Sequence, residues 1–260
     1  MIQYDIPEKL RAVIGDAIRP GGLALTERAL DFCGFSKGAG IVDIGCGFGT
    51  TLNHLQDRHG FRVCGIDISA RMLSENRQQP VIQAVADYLP FGAGVFDGIF
   101  CECVLSLLPL PENALSEFHR VLQPGGYLVL SDIYLRNPGQ TQYLENQNEN
   151  SLADNTGHTT AYVHTCLPSD DFSSCLSGAV AKTRWITQVK NIGFELFLWE
   201  DHSGYLKELA ARIVWALGSR EGLMKLFFPG ASSVCDRDAI QRARPGYFLL
   251  IVRKKGMIGP

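Results

Sequence analysis

Ile41-Val42-Asp43-Ile44-Gly45-Cys46-Gly47-Phe48-Gly49 is the stretch whose reading decides the fold. It is a short apolar run that breaks into a glycine-rich turn, and Thr50-Thr51-Leu52 then opens a helical pattern. Glycine lacks Cβ and takes positive φ without steric cost, so a strand–turn–helix of this kind lets backbone approach a ligand closely. A cofactor site is the first expectation.

The spacing narrows the cofactor. A dinucleotide turn reads Gly-x-Gly-x-x-Gly, whereas here the third glycine falls at Gly49 and Thr50 occupies the next position. No lysine follows in the Gly-x-x-x-x-Gly-Lys arrangement that cradles phosphates. The next apolar run, Phe61-Arg62-Val63-Cys64-Gly65-Ile66-Asp67, ends in an acid about twenty residues past the turn, where a carboxylate can accept from both ribose hydroxyls.

Together these residues resemble the class I S-adenosylmethionine-dependent methyltransferases, of the small-molecule type that includes ubiquinone-biosynthesis and arsenite methyltransferases. Asp43-x-Gly45-x-Gly47-x-Gly49 is similar to their glycine motif, and Gly65-Ile66-Asp67-Ile68-Ser69 to their second-strand acid motif. Ala86-Asp87-Tyr88-Leu89-Pro90-Phe91 is similar to the adenine-side segment. Phe96-Asp97 with Gly98-Ile99-Phe100-Cys101-Glu102 resembles the fourth strand, and Arg120-Val121-Leu122-Gln123-Pro124-Gly125-Gly126 the turn before the fifth. The likeness runs from about residue 38 to 133, with five motifs in order.

The resemblance implies an α/β, Rossmann-like sandwich: a mostly parallel seven-stranded sheet with an antiparallel last strand and helices on both faces. It implies S-adenosylmethionine as cofactor and S-adenosylhomocysteine as product. Gly45, Cys46 and Gly47 would contact the methionine part through backbone, Asp67 the ribose, and Ile68 the adenine ring. Asp87 would accept from the adenine amino group, helped by backbone at Tyr88 and Leu89, while Cys101 and Glu102 would line the cofactor's other side. Upstream, Gly21-Gly22-Leu23-Ala24-Leu25-Thr26 resembles the segment that covers the methionine carboxylate. The Thr26 hydroxyl could donate to that carboxylate or cap a helix.

A length of 260 residues suits one sizeable α/β domain with its own core. The expected division is 1–37 as cofactor-covering helices, 38–133 as cofactor-binding core, 134–180 as a lid or insertion and 181–260 as the acceptor-side part. A net charge of −3 with no long single-sign run gives no reason to expect nucleic acid. Residues 1–19 carry Asp5, Glu8, Lys9, Arg11 and Asp16 and lack a signal peptide's apolar segment, and no stretch approaches the roughly eighteen apolar residues of a membrane helix. Eight scattered cysteines suit reduced thiols. The expectation is a cytoplasmic monomer or homodimer with a small-molecule acceptor, no membrane and no nucleic acid.

Along the chain, strands at 41–44, 62–67, 81–85, 96–101 and 127–133 alternate with helical patterns at 50–58, 70–77 and 111–121. This order predicts a parallel sheet with the ligand at the strands' carboxyl ends. A helix from about 181 to 191, a strand over 193–199, a helix carrying Leu206, Leu209, Ala210, Ile213, Val214 and Leu217, and a strand over 246–253 follow. The resemblance implies that the last two strands form an antiparallel pair at one sheet edge.

Methyl transfer needs mainly an in-line nucleophile and exclusion of water. A base is required only for an acceptor that is protonated at neutral pH, and Glu102, His158, His164 and Tyr134 are candidates. Ser174-Cys175-Leu176-Ser177-Gly178-Ala179 resembles the Cys-x-x-Gly-Ala element of arsenite methyltransferases, with Cys235 near another arsenic-binding thiol position, and thiolates suit a soft metalloid. His164, Cys175 and Cys235 are thus candidate acceptor-side residues. Cys101-x-Cys103 would put two thiols on one strand face without a second pair, so no structural metal is expected. A protein of this fold that binds cofactor as a sensor or partner subunit, without transfer, is the alternative outside catalysis.

Overall fold

The computed structural model describes residues 11, 12, 15, 17, 19–76, 79–137, 176, 178–227 and 243–256. After helix α1 (Leu23–Cys33) the chain alternates through β1 (Gly40–Ile44), α2 (Thr50–His59), β2 (Arg62–Asp67), α3 (Ala70–Glu75), β3 (Val81–Gln83) and β4 (Phe96–Glu102). A 3-10 turn at Leu105–Leu107, α4 (Pro111–Val121), β5 (Leu122–Leu135), β6 (Val180–Ala181) and α5 (Lys182–Ile192) come next. The chain then forms β7 (Phe194–Asp201), α6 (Ser203–Leu217), α7 (Arg220–Phe227) and β8 (Pro245–Lys254).

The sheet order is β3-β2-β1-β4-β5-β8-β7, with β6 pairing to β5. Strands β1 to β6 pair in parallel, whereas β8 is antiparallel to both β5 and β7. All five residues of β1 are buried, as expected of a strand covered by helices on both faces. Its alternate residues separate accordingly. Val42 and Ile44 pack toward α4 and α5 with Phe118, Trp185 and Val189, while Ile41 packs toward α1 and α2 with Leu30, Leu52 and Leu55. In α4, Pro111 starts the helix and Ala114, Leu115, Phe118 and Val121 form its buried stripe.

The structure departs from the sequence expectation at several places. The sheet has eight strands rather than seven, because the two-residue β6 joins β5. The last two strands do form the expected antiparallel pair at one sheet edge, with β8 inside and β7 outermost. Strand β5 starts at Leu122: Leu122 pairs with Phe96 before Gln123-Pro124-Gly125-Gly126 bulges out and pairing resumes at Gly98–Tyr127. Strand β3 ends at Gln83 and α3 at Glu75, where Asn76 leaves the helical conformation. Among the described residues no helix is long and apolar enough to cross a membrane.

The strand order reverses between β1 and β4, and in open α/β sheets this switch point opens the crevice at the carboxyl ends where ligands bind. Toward the opposite, amino end of β4, Gly98 lets a neighbouring ring pack close to backbone. A Cβ on Gly98 would lie 2.6 Å from the ring of Phe35, which packs edge-on against Phe61 and Tyr127. Gly98→Val is therefore expected to cost about 1–3 kcal/mol, the usual cost of overpacking, read as a lower urea midpoint at unchanged slope.

Candidate functional site

The glycine turn leaves β1 through three left-handed residues, with φ of 73° at Gly45, 53° at Gly47 and 80° at Gly49. Two of them also lack space for a side chain. A Cβ on Gly45 would meet Val104 at 2.2 Å, and one on Gly49 would meet the Asn76 amide at 2.2 Å. Gly47 differs: its nearest neighbour would be Met72 Sδ at 3.8 Å, so the crest of the turn is open on its Cα face.

Four of the turn's amides are bonded internally. Gly45 N and Cys46 N both donate to Ile66 O, at 2.7 and 3.0 Å, and Gly49 N donates to Cys46 O at 2.9 Å. Gly47 N donates to Asp67 Oδ2 at 2.8 Å, while Asp67 Oδ1 accepts from Ser69 N at 2.8 Å. A phosphate-cradling turn needs unsatisfied N–H groups aimed at the anion. This turn offers carbonyl oxygens and bare Cα surface instead. The Cys46 side chain points back into the sheet, since a Cβ on Gly65 would stand 2.6 Å from its Sγ; burial raises that thiol's pKa far above its ordinary value.

Beside the turn lies a buried ionic cluster. Arg19 Nη2 is 2.9 Å from Glu102 Oε2 and donates to Thr26 Oγ1 at 2.8 Å. Thr26 Oγ1 donates in turn to Glu102 Oε1 at 3.1 Å, and Thr51 Oγ1 to Glu102 Oε2 at 3.3 Å. Burial works against the Arg19 charge, yet Glu102, with Tyr247, Asp43 and Cys103 nearby, holds its pKa above the ordinary value. Asp43 is pushed well above the carboxylate range, first by burial and then by the Glu102 charge, against a partial opposing effect of Arg19. A cleft of about 380 Å³ adjoins the cluster, lined by Arg19, Gly22, Thr50, Tyr205 and Leu209.

The predicted residues divide. Gly45, Gly47, Asp67, Thr26 and Glu102 meet at the carboxyl ends of β1, β2 and β4. Thr26 does not cap α1: Gly22 precedes the helix, and the hydroxyl bonds Glu102. Ile68 is 47% exposed beside Asp67, an apolar side chain available to a ring. Asp87 and Tyr88 are exposed, but Leu89 is buried and its amide donates to Glu117 Oε2 at 2.8 Å, so it is committed within the fold.

Cys101 is 1% exposed among core side chains rather than facing the crevice. It does not share a face with Cys103, because the strand ends at Glu102 and Cys103 turns left-handed at φ 59°, placing its Sγ 3.0 Å from the Tyr247 hydroxyl. Tyr134 packs edge-on against Trp199 and Phe248, and burial raises its pKa. Its place in the core removes it as a candidate base. His158, His164, Cys175 and Cys235 lie outside the described residues. Gly178, next to that cysteine segment, has a packing reason of its own: a Cβ there would fall 2.0 Å from Ser106 O.

A sequence profile described as a methyltransferase domain matches residues 42–130, the span from β1 to β5 that builds this crevice. Residues 42–130 thus carry a methyltransferase domain, and with the methyltransferase relatives this supports the class I, S-adenosylmethionine-dependent type. The uncharacterized methyltransferase YodH of Bacillus subtilis is 33% identical over 130 residues, covering 46% of this chain and 54% of that protein. The chain spans about half the length of the curated relatives it matches. In structure, the methyltransferase domain with its flanking elements superposes on the [4+2]-cyclase SpnF (TM-score 0.67, 20% identity, 95% of this chain and 92% of that one). A phosphoethanolamine N-methyltransferase 2 of Haemonchus contortus, solved in complex with S-adenosyl-L-methionine, gives a TM-score of 0.66 at 19% identity over 95% of this chain and 56% of that one. These structural likenesses bear on the fold.

Sequence reasoning passed over Arg19, Thr51, Asp132 and Tyr247 in the methyltransferase domain and its flanks. Arg19 had a signal, a cation just ahead of the Gly21-Gly22 pair; the others are polar atoms inside apolar or helical runs. Asp132 accepts from Ser106 N at 2.9 Å, Ser106 Oγ at 2.6 Å and Ile133 N at 2.7 Å, yet burial raises its pKa to about 6.

Two outcomes are expected. Arg19→Ala, which strands Glu102 without its cation, should cost about 3–5 kcal/mol in chemical denaturation, and Arg19→Met with Glu102→Gln should recover part of that loss. Because Asp132 has a raised folded pKa, its contribution is present below the ordinary value of 3.8 and is lost as pH rises through about 6. Stability relative to Asp132→Asn, measured by denaturation across that window, should accordingly fall with rising pH.

Proposed function

We propose that the protein binds S-adenosylmethionine at the carboxyl ends of β1, β2 and β4 and transfers its methyl group to a small-molecule acceptor. The observation that carries this reading is the charge pattern around a turn whose Gly45, Cys46, Gly47 and Gly49 amides are already bonded. Asp67 and Glu102, with the buried Asp43 carboxyl beside them, stand against a single guanidinium, Arg19. The methionine part of the cofactor brings an ammonium and a sulfonium with one carboxylate, which suits two carboxylates and one arginine. Arg19 Nε is buried without a hydrogen-bond partner, a donor that a carboxylate would satisfy. Asp67 lies within reach of a ribose lying over the open Cα of Gly47, with Ile68 against the adenine and Asp87 and Tyr88 exposed beside it.

The bound cofactor supplies an electrophilic methyl group; the chain positions it. In this reading residues 1–37 cover the cofactor, 38–133 bind it, and 134–180 with 181–260 shape the acceptor pocket. Glu102 is engaged by Arg19, Thr26 and Thr51, and Tyr134 is packed in the core, so neither is placed to take a proton. That favours an acceptor whose nucleophilic atom already presents a lone pair at neutral pH, with rate gained from proximity and exclusion of water. Cys175 and Cys235 are given no role here.

Calorimetry with S-adenosylhomocysteine should show one site per chain. Asp67→Ala should weaken it about a hundredfold, equivalent to two charge-assisted hydrogen bonds, with the variant's fold checked by circular dichroism. Undiminished binding in Asp67→Ala would sink the site assignment. Binding without methylated product across oxygen, nitrogen, sulfur, carbon and arsenite acceptors would instead favour a cofactor-binding sensor.

A further inference from the structure

Where α1 meets α2, Glu27 of α1 contacts two histidines of α2. His54 Nε2 and His59 Nε2 lie 2.5 and 3.1 Å from the same oxygen, Glu27 Oε1. Among the described residues, this is the one trio of His, Cys, Asp or Glu side chains whose ligand atoms gather closely, all within 4.8 Å of one another. The three side chains are partly buried, at 33% for Glu27, 15% for His54 and 25% for His59.

The donor set is two imidazoles and a carboxylate, which suits borderline divalent ions and above all Zn²⁺. Bonds of about 2.0–2.2 Å around a tetrahedral ion separate its ligand atoms by roughly 3.3–3.6 Å, inside the range from 2.5 Å to 4.8 Å that the trio spans, so His54 and Glu27 would part slightly to admit an ion. The rings are held before any ion arrives: His59 stacks on Phe61 at 5.6 Å and 6°, and His54 meets His59 edge-on at 5.5 Å. His59 ends α2, where the helix dipole favours positive charge. Arg58 faces Glu27 Oε1 at 3.6 Å, and its side chain is 73% exposed, so it can turn outward.

We propose that Glu27, His54 and His59 form a binding site for a divalent transition metal, with Zn²⁺ the best-matched ion and water completing the coordination. Each neutral imidazole carries its proton on Nδ1 when Nε2 binds the ion, and the carboxylate binds through Oε1. An ion there would fasten α1 to α2. These two helices carry Thr26 and Thr51, whose hydroxyls both bond Glu102, so the ion would stiffen one wall of the crevice. The site is independent of the methyl-transfer reading and stands or falls separately.

The test is titration of the purified full chain with Zn²⁺ and Co²⁺, alongside Glu27→Gln, His59→Ala and the double variant His54→Ala/His59→Ala. The expected result is one Zn²⁺ per chain, bound at least about tenfold more weakly in each single variant, and a thermal midpoint raised by Zn²⁺ only when the trio is intact. Co²⁺ in the intact protein should give d–d bands without a sulfur-to-cobalt charge-transfer band. Equal Zn²⁺ affinity in the folded double variant, no Zn²⁺ binding by the intact chain, or a thiolate charge-transfer band would each overturn the proposal.

Discussion

The hydrogen bonds that tie the glycine turn to the end of β2 constrain everything around the crevice. Ile66 O accepts two amides of the turn and the Asp67 carboxylate accepts a third, so the exit of β1 and the exit of β2 are one rigid unit. That unit requires left-handed φ at Gly45, Gly47 and Gly49, and it leaves no space at the first and third for a side chain. It also determines what a ligand can be offered. With four of its N–H groups bonded within the fold, the turn is a poor anion cradle and a good neighbour for a cationic or neutral chain that accepts close backbone approach.

A second constraint acts through charge. Glu102 sits at the end of β4, 8% exposed, and a buried carboxylate survives as an anion only with strong partners. Arg19, Thr26 and Thr51 supply them from the N-terminal segment, α1 and α2. The same contacts therefore draw these three pieces over the crevice. Removing one partner is costly because it leaves the other charge unbalanced in a low-dielectric site. The packing of α1 against the sheet and the electrostatics of the crevice are thus two aspects of one cluster.

Legibility followed the range of the interactions. β1, β2 and α4 were readable because their buried residues follow local periods, and the glycine turn because its conformation excludes other residue types. The β5 boundary was misplaced because Pro124-Gly125-Gly126 looks like a turn, whereas Leu122 regains a partner across the bulge at Phe96. Cys101 and Cys103 were placed on one face by strand alternation, which fails where Cys103 turns left-handed. Leu89 was offered to a ligand because nothing in its neighbourhood shows that Glu117, on α4, already holds its amide.

By itself the sequence determined the alternating parallel core, the carboxyl-end crevice, the turn and the acid at Asp67, since each depends on residues close in the chain and on steric rules of single residues. Only the tertiary structure decided that Arg19 and Thr26 serve Glu102, that β8 enters between β5 and β7, and that Glu27 meets His54 and His59. Those pairings join residues far apart in the chain, 27 positions for Glu27 with His54 and 76 for Thr26 with Glu102. Burial, charge balance and strand order select such partners, and none of the three is a property of a short segment.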